Sequence, residues 1–393
     1  MRTVHPRVRV PGPLPVRVAA AIGTRLDALR TRVRRGSRRQ GGGPSPDGAP
    51  LRVLMPRGLA RLVGQSGIGA AIRHQEEAVR TLGHEVVTNP LRPFDVVHLN
   101  TPLPDTVLFA AWARLRSRPV LMWAHSTEED FRDSFTGANT LAPWFRRWIA
   151  RLYQLGDAVV TPTAYSRSII LRPVYGLHRN VHVLSNGVDT RFFRPEPGSR
   201  GALRRELGVA EDHPVVVSVG LQIVRKGILD WIEVARRRPE VLFVWYGRTD
   251  PRLVTDEVAA AIARAPANCR FPGFVAPEQL REAYTGADAF VFLTREETEG
   301  IVLLEALACA VPVIVRDIPI YHDWLPDGEV THMVGRRGAD AVTETCARID
   351  DLLRGELSDL TAAGRRAAEA VDLRQVARDL GRIYSLEGVR RRP

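Results

Sequence analysis

Residues 292–305 have the sequence Phe-Leu-Thr-Arg-Glu-Glu-Thr-Glu-Gly-Ile-Val-Leu-Leu-Glu. An apolar run typical of a buried strand ends near Leu293, a polar loop follows, and the apolar spacing predicts a helix from about Gly300. Backbone N–H groups at the start of a helix bind anions, and the positive end of the helix dipole adds to that attraction. The order of strand, loop and helix therefore predicts an α/β fold with a site suited to a diphosphate at this turn.

The same alternation of strand and helix occurs along the chain in two series. The predicted strands of the first series are 51–55, 86–87, 96–99, 120–123 and 158–161, and those of the second are 215–219, 241–245, 269–271, 289–293 and 311–315. Such alternation predicts parallel sheets covered by helices on both faces. We therefore predict two Rossmann-like, doubly wound domains, residues 50–195 and 196–372, that face a central cleft, followed by a helix and tail over residues 373–393.

The positive charge of the chain is concentrated at its beginning. The 393 residues carry a formal charge of +12, and residues 1–39 contain eleven arginines but only one acid, Asp27. We expect residues 1–49, which are rich in Pro and Gly, to form a basic tail without fixed structure, apart from a short helix over 18–35. The remainder is close to neutral, which argues against a nucleic-acid-binding protein, because such proteins spread basic residues over the folded surface. The tail either holds the protein at an anionic membrane or is an extension without a selected role.

Other features of the composition restrict the compartment and the cofactors. The three cysteines have no paired spacing, and no apolar run approaches the roughly 18 residues of a membrane span. We expect a cytoplasmic protein, peripheral on the inner face of the cell membrane. The chain has no Asp-x-Asp motif and no second His or Cys at ligand spacing from His125. No metal cofactor is therefore expected.

A second loop between a strand and a helix contains the only lysine of the chain. Residues 220–227 have the sequence Gly-Leu-Gln-Ile-Val-Arg-Lys-Gly, and every other long basic side chain of the protein is arginine. A single retained lysine at position 226 indicates a site that needs a compact ammonium group, such as a phosphate site. The alternative is a surface lysine retained by chance.

Three further motifs follow predicted strands. Glu297 and Glu305 are separated by seven residues, so that one carboxylate lies in a loop and one on a helix; the alternative is a solvated helix start. His125 follows a strand and precedes the acids at 128–130; the alternative is a surface histidine. The glycines of residues 64–69 do not complete a dinucleotide fingerprint, because its third glycine position is Ile72. We predict instead a flexible loop over a ligand between the domains.

Together these motifs resemble glycosyltransferase family 4 over about residues 51–385. The resemblance rests on the pair Glu297 and Glu305, on Arg-Lys-Gly at 225–227, on Ser-Asn-Gly-Val-Asp at 185–189 and on the first glycine loop. It implies the GT-B fold, a nucleotide-sugar donor bound mainly by the second domain, and retention at the anomeric carbon without a metal. Longer stretches, at 66–69 with 74–75, at 124–130, at 296–300 and at 316–321, are similar to bacterial diacylglycerol α-glucosyltransferases. They imply UDP-glucose and a lipid acceptor.

The resemblance also implies residue roles. Glu305 would bind the ribose, Glu297 the sugar hydroxyls, and Arg225 with Lys226 the diphosphate, while His125 would position sugar and acceptor. The residues expected to act in catalysis are His125, Arg225, Lys226 and Glu297. The residues expected to bind the donor are Gly67, Gly69, Gly220, Arg225, Lys226, Gly273, Val275, Glu297, Thr298, Glu299, Gly300, Ile301 and Glu305. Thr298 and Glu299 replace the family's usual aromatic residue or glycine, which would place extra negative charge beside the sugar.

An aromatic and basic segment of the first domain predicts membrane contact. Residues expected to lie at an anionic lipid surface are Trp144, Arg146, Arg147, Trp148 and Arg151. The alternative is an ordinary amphipathic helix whose aromatic side chains pack into the core. Two further functions remain open: a related transferase that uses UDP-galactose or GDP-mannose on another lipid or glycan, and a non-enzymatic protein that binds a nucleotide-sugar or, through its tail, nucleic acid.

Overall fold

The structure is a computed structural model that describes residues 49–64, 66–335 and 340–391. The predictions for residues 1–48, including the helix over 18–35 and the basic tail, lie outside the described residues. Among the described residues, none of the helices has the length and apolar character needed to cross a bilayer.

The first sheet has six parallel strands in the order β2-β1-β3-β4-β5-β6. They are β1 Arg52–Leu54, β2 Glu85–Val87, β3 Val96–Leu99, β4 Val120–Trp123, β5 Ala158–Thr161 and β6 Asn180–Val183. The register aligns Val53 with Val96 and Leu121 with Ala158. The strands β3, β4 and β5 are buried along their whole length, as continuous apolar runs predict for a parallel sheet covered on both faces.

The second sheet also has six parallel strands, in the order β12-β11-β10-β7-β8-β9. They are β7 Val215–Val219, β8 Leu242–Tyr246, β9 Cys269–Gly273, β10 Ala289–Phe292, β11 Val313–Arg316 and β12 His332–Val334. The prediction of an α/β fold with two doubly wound sheets is confirmed. The strands β6 and β12, which lie at the edges of the sheets, were not predicted.

Helices cover both faces of each sheet. The helices associated with the first sheet are α1 Gly67–Thr81, α2 Asp105–Leu115, α3 Glu128–Phe131, α4 Ala138–Tyr153 and α5 Ala164–Ile170. Those of the second series are α6 Ser199–Leu207, α7 Ile228–Arg237, α8 Asp256–Ala263, α9 Pro277–Gly286, α10 Ile301–Ala308, α11 Ala341–Leu353, α12 Thr361–Ala370 and α13 Leu373–Leu386. Each sheet thus separates two buried apolar clusters, one on each face.

The last helix, α13, returns to the first domain. Leu380, Ile383 and Tyr384 pack in the same buried cluster as Leu51 and Val53. The crossing is fixed by backbone hydrogen bonds between residue 188 and residues 371 and 373, and by the Thr190 hydroxyl, which donates to Asp372 at 2.5 Å. The chain therefore passes between the two sheets twice, near residues 186–190 and near 371–373.

The carboxyl ends of the two sheets face each other across a cleft. The Thr163 hydroxyl, just after β5, donates to the Thr298 carbonyl, just after β10, at 2.9 Å. The Arg225 amide, after β7, donates to the Asp133 carbonyl, in the loops after β4, at 2.9 Å. Loops that follow strands of both sheets thus meet, which is where ligands bind in doubly wound folds.

Candidate functional site

The loop between β10 and α10 begins the site. Gly300 precedes α10 with φ of +93°, and no side chain caps the helix start. A left-handed backbone of this kind favours glycine, because other residues are strained there. The turn leaves the first amides of α10 available to an anion, as the sequence predicts for Gly300 and Ile301.

Lys226 and Glu297 form an ion pair in the cleft. The Lys226 ammonium donates to Glu297 Oε1, and the Thr294 hydroxyl donates to the same oxygen at 2.8 Å. The two charged side chains are only 14% and 8% exposed. Burial raises the pKa of Glu297, but the charges of Lys226 and Arg225 outweigh this and hold it below its usual range. Burial lowers the pKa of Lys226, and Glu297 offsets part of that effect.

Gly227 explains how the lysine reaches the glutamate. Its φ is +79°, and a Cβ at this position would lie 2.1 Å from the Leu293 carbonyl oxygen. The lysine loop therefore lies directly against the end of β10, where the loop with Glu297 begins. The sequence predicted both residues for the donor site, and the structure brings them into direct contact.

Arg225 connects the two domains. Its guanidinium donates to the Glu296 carbonyl at 2.7 Å and to the Ser134 hydroxyl at 3.1 Å, and Nη1 lies 3.9 Å from Glu297 Oε1. A cation so placed contributes positive potential at the ion pair while it holds the β10–α10 loop against the first domain. Ser134 carries no signal in the sequence that identifies it.

Two further glutamates, Glu299 and Glu305, have different contacts. Glu305, on α10, accepts a hydrogen bond from the Tyr284 hydroxyl at 3.0 Å, and burial raises its pKa to about 7. Glu299 accepts the Asn186 amide N–H at 2.8 Å, and burial raises its pKa to about 7 as well. Glu299 therefore contacts the linker between the domains, and the Thr298 carbonyl accepts from Thr163.

His125 is a neutral, buried histidine at the end of β4. Burial lowers its pKa to about 4. Its Nε2 lies 3.2 Å from Asn100 Oδ1 and 3.3 Å from Gln75 Nε2. Asn100 Oδ1 can only accept and Gln75 Nε2 can only donate, so one protonation state of Nε2 satisfies one of these two contacts but not both. Asn100 follows β3 at the same edge of the sheet. Its position directly after a strand is the signal that identified His125, but the sequence analysis did not name Asn100.

The acids after His125 form a short helix start. Thr127 and Asp130 cap α3 reciprocally, with the Thr127 amide donating to Asp130 Oδ1 at 2.9 Å. Burial raises the pKa of Asp130 to about 6, and the charges of Arg225 and Lys226 act against that shift. A carboxyl group that titrates near neutral pH thus lies within electrostatic reach of the ion pair.

The predicted flexible glycine loop is helical from Gly67 onward. Gly67 and Gly69 form the first turn of α1, because the helix begins at Gly67 and not beyond Gly69. Gly220 follows β7, and its carbonyl accepts from Trp245 Nε1 at 3.0 Å. Gly273 ends β9 with φ of +87°, and Val275 packs at the edge of the core two residues later.

The predicted membrane segment lies on α4 and divides into two groups. Trp144 is 55% exposed, Arg147 lies over its ring at 5.4 Å, and Arg151 is exposed. The prediction of a lipid-facing surface is wrong for the two other residues. Arg146 donates to Glu128 at 2.5 Å, and Trp148 donates its indole N–H to the Pro102 carbonyl at 2.6 Å, so both are used inside the domain.

Among the described residues, the acids, histidines and cysteines form no group of three or more that is placed to hold a metal ion. The charged side chains closest in effect to the ion pair of Lys226 and Glu297 are Arg225 and Asp130.

Comparisons with known proteins find matches for both domains. Residues 199–369 match the family model "Glycosyl transferases group 1", and residues 17–192 match "Glycosyltransferase Family 4". A processive diacylglycerol alpha-glucosyltransferase of Acholeplasma laidlawii is 37% identical over 70% of this chain and 81% of its own length. An alpha-galactosylglucosyldiacylglycerol synthase of Streptococcus pneumoniae is 28% identical over 69% of this chain and 74% of its own.

Solved structures show the same fold at low sequence identity. HepE of Anabaena, in complex with UDP-glucose, is 16% identical with a TM-score of 0.66, over 86% of this chain and 100% of its own. A sucrose-phosphate synthase of Thermosynechococcus elongatus is 17% identical with a TM-score of 0.69, over 86% of this chain and 98% of its own.

Proposed function

The chain is a member of glycosyltransferase family 4 with the GT-B fold, and we propose that it transfers glucose from UDP-glucose to a membrane glycerolipid such as diacylglycerol. We further propose that the anomeric configuration is retained and that no metal ion takes part. The relatives whose names specify diacylglycerol-type lipids support the acceptor class.

The observation that carries the proposal is the buried ion pair of Lys226 and Glu297. Buried ion pairs are often no more stabilising than apolar contacts, so stability alone gives little reason for this one. A donor diphosphate that enters the cleft offers Lys226 a stronger partner than a single carboxylate. Glu297 is then released to accept hydrogen bonds from the sugar hydroxyls.

The main requirement of the reaction is that the negative charge on the leaving diphosphate is stabilised. As the bond between the anomeric carbon and the phosphate oxygen breaks, negative charge develops on the diphosphate. Lys226, Arg225 and the first amides of α10 are fixed donors in a water-poor cleft, where such stabilisation is large. These groups supply the positive charge that a divalent ion provides in other transferases.

The acceptor hydroxyl forms the new bond at the anomeric carbon. In the proposed front-face reaction, it attacks from the side that the diphosphate leaves, and its proton passes to the departing phosphate oxygen. Neutral His125 orients the sugar or the acceptor through a hydrogen bond, but it has no second proton to give at neutral pH. Glu297 is a weak nucleophile, because three groups already draw on its charge.

Exposed apolar and basic residues support contact with a lipid surface. On α4 these are Leu141, Trp144, Arg147 and Arg151, and the neighbouring helix α2 exposes Leu108 and Leu115. Helices with exposed aromatic, leucine and arginine side chains enter the headgroup region of anionic bilayers. A lipid acceptor would then reach the cleft from the bilayer.

The test is an assay of the purified full chain with vesicles that contain diacylglycerol and an anionic lipid. UDP-glucose, UDP-galactose and GDP-mannose are supplied separately, with and without a chelator, and the product is identified by mass spectrometry and by its anomeric NMR signal. We expect an α-glucolipid from UDP-glucose, insensitive to chelator and lost in Glu297→Ala. Glu278→Ala, an exposed glutamate on α9, is the matched control. Turnover only on a soluble glycan would contradict the lipid acceptor, and a β-linked product would contradict retention.

A further inference from the structure

A cavity in the first domain adjoins His125 and lies apart from the ion pair. It has a volume of about 130 Å³ and lies at the carboxyl ends of β1 and β3, with the 3-10 turn Gly58–Val63 and the start of α1 at its rim. Asn100 lines this cavity and also contacts His125 Nε2 at 3.2 Å. A group bound here would lie beside the residue that orients sugar or acceptor.

The wall of the cavity is positively charged. Arg57, Arg61 and Arg73 line it, and Asp105 is the one carboxylate among the described lining residues. Asp105 Oδ2 is occupied by the Leu59 amide, which donates to it at 2.7 Å. The lining therefore carries two more positive charges than negative ones, although the chain beyond its basic tail is close to neutral.

The arginines retain hydrogen-bonding capacity. Arg57 pairs with Glu76 at 2.7 Å, but Glu76 also pairs with Arg80. Arg73 uses Nη1 to donate to the Gly64 carbonyl at 3.0 Å, which leaves its other N–H groups. Arg61 is exposed, and no ion pair or side-chain hydrogen bond to another described residue holds it in place. A guanidinium group with free donors is suited to phosphate.

One observation other than charge also indicates a ligand. His98 is completely buried in the cavity wall; its Nε2 contacts the Tyr384 hydroxyl at 2.9 Å, but its Nδ1 has no partner among the described residues. Such a group lowers the free energy when a ligand supplies the missing hydrogen bond.

We propose that this cavity, which we call the arginine cavity, binds the phosphoryl group of the acceptor. The enzyme then glycosylates phosphorylated polyols, either the headgroup of a phosphoglycerolipid or a soluble glycerol phosphate, in addition to uncharged diacylglycerol. The volume is about four times that of a water molecule in the liquid, which accommodates a phosphoryl group and an attached carbon. The phosphoryl group is unchanged in the reaction: a free hydroxyl of the polyol attacks the sugar, and its proton leaves on the diphosphate.

This inference rests on the proposed transfer to a glycerolipid, and its first test compares acceptors. The full chain is assayed with UDP-glucose and with diacylglycerol or phosphatidylglycerol in phosphatidylcholine vesicles, or with glycerol 3-phosphate in solution. We expect transfer to at least one phosphorylated acceptor. Arg61→Gln and Arg73→Gln should each lower kcat/KM for that acceptor at least tenfold relative to diacylglycerol. Arg167→Gln, an exposed arginine on α5 outside the cavity, should change this ratio less than twofold.

Two results of that assay would overturn the proposal and leave the proposed function intact. One is glucosylation of diacylglycerol without transfer to either phosphorylated acceptor. The other is an equal loss on all acceptors in Arg61→Gln, which would assign the arginine to the donor or to the fold. Transfer to glycerol 3-phosphate but not to phosphatidylglycerol would identify the soluble source.

A binding measurement tests whether the arginine cavity binds a phosphoryl group, even if no lipid is glucosylated. The melting temperature of the full chain is measured against glycerol 3-phosphate with saturating UDP, so that the diphosphate site is already filled. We expect a saturable rise whose half-maximal concentration increases at least tenfold in Arg61→Gln but not in Arg167→Gln. Without such a rise in the unmodified protein, the arginine cavity is not a phosphoryl site.

Discussion

Replacement of Lys226 by methionine separates its observed ion pair with Glu297 from its proposed role at the diphosphate. The substitution keeps the length of the side chain and removes its charge. Glu297 then keeps the Thr294 hydroxyl at 2.8 Å and Arg225 at 3.9 Å as partners. Breaking a buried ion pair costs about 3–5 kcal/mol. Because two partners remain, we expect the free energy of unfolding to fall by an amount near the lower end of that range, about 3 kcal/mol. This corresponds to a melting temperature lowered by about 6–12 °C.

The effect on turnover has a different origin. Loss of one fixed donor to a developing oxyanion lowers kcat by about 10²- to 10³-fold. We therefore expect Lys226→Met to be slower by about that factor when it is assayed with UDP-glucose and lipid acceptor well below its melting temperature. Arg295→Met is the matched control, because Arg295 belongs to the same loop region and pairs with Asp230 at 3.1 Å on the surface. It should lose at most about 1 kcal/mol of stability and little activity.

A double-mutant cycle with Glu297→Gln tests the reasoning. If Lys226 acts on the diphosphate, Lys226→Met should slow the reaction about as much in the Glu297→Gln background as in the unmodified enzyme. Its cost in stability should shrink there, because no buried carboxylate is left without its partner. The diphosphate role would be refuted if Lys226→Met lost its effect on kcat in that background, since the lysine would then only balance Glu297.

Three other expectations concern pH, membrane binding and loop packing. Burial raises the pKa of Glu299 from 4.5 to about 7, so its contribution to stability is present below pH 4.5 and is lost as the pH rises to 7. The glutamine of Glu299→Gln does not titrate. As the pH rises from 4.5 to 8, the free energy of unfolding of this variant should therefore increase by up to about 3 kcal/mol relative to that of the unmodified protein, as measured by denaturant unfolding. A difference between the two proteins that stays constant with pH would contradict the raised pKa. Trp144→Ser should weaken binding to anionic vesicles roughly tenfold in a sedimentation assay, whereas Leu353→Ser, exposed on α11, should not; equal effects would refute the α4 surface. Gly227→Ala should cost more than 1 kcal/mol and most activity, because its Cβ would meet the Leu293 carbonyl; Gly355→Ala, with φ of +72° and open space, isolates the backbone strain.

The strands with apolar runs could be predicted from the sequence, whereas the edge strands β6 and β12 could not. A strand such as Val96–Leu99 is buried on both faces and therefore appears as a continuous apolar run. The edge strand β6, Asn180–Val183, is partly exposed along its length, so its sequence carries no such run. A helix was predicted within residues 373–393, and the structure has it at Leu373–Leu386. Its packing on the first domain depends on contacts between residues far apart in the chain, such as Tyr384 with His98, which no local pattern contains.

Residue types in the site were easier to predict than their contacts. Position after a strand identified His125, Lys226 and Glu297, since the carboxyl ends of parallel strands meet at one edge of the sheet. The direct contact between Lys226 and Glu297 needed the tight approach at Gly227, a three-dimensional constraint. The same limitation produced the error at Arg146: an arginine on an amphipathic helix has the same sequence pattern whether it meets lipid or a buried partner such as Glu128.

The contacts of the 296–299 loop change the interpretation of its additional acidic residues. From the sequence, Glu299 would add negative charge beside the sugar, which would oppose a negatively charged donor. In the structure it accepts the Asn186 amide, while the Tyr165 hydroxyl donates to Glu296 at 3.2 Å. Burial raises the pKa of Glu296 to about 7 as well. Both acids therefore face the first domain, and the loop that carries Glu297 is held between the two domains.

It follows that separation of the domains would break the contacts of this loop as a group. The Glu296 and Glu299 carboxylates and the Thr298 carbonyl all accept hydrogen bonds from residues of the first domain or the linker. Arg225 adds its own bonds to the loop after β4. An open cleft would thus leave Glu297 and the α10 amides on a loop without these supports, whereas closure fixes them around the donor. The proposed donor site is in this sense completed by the first domain, so that its groups reach the positions seen here only when the two domains meet.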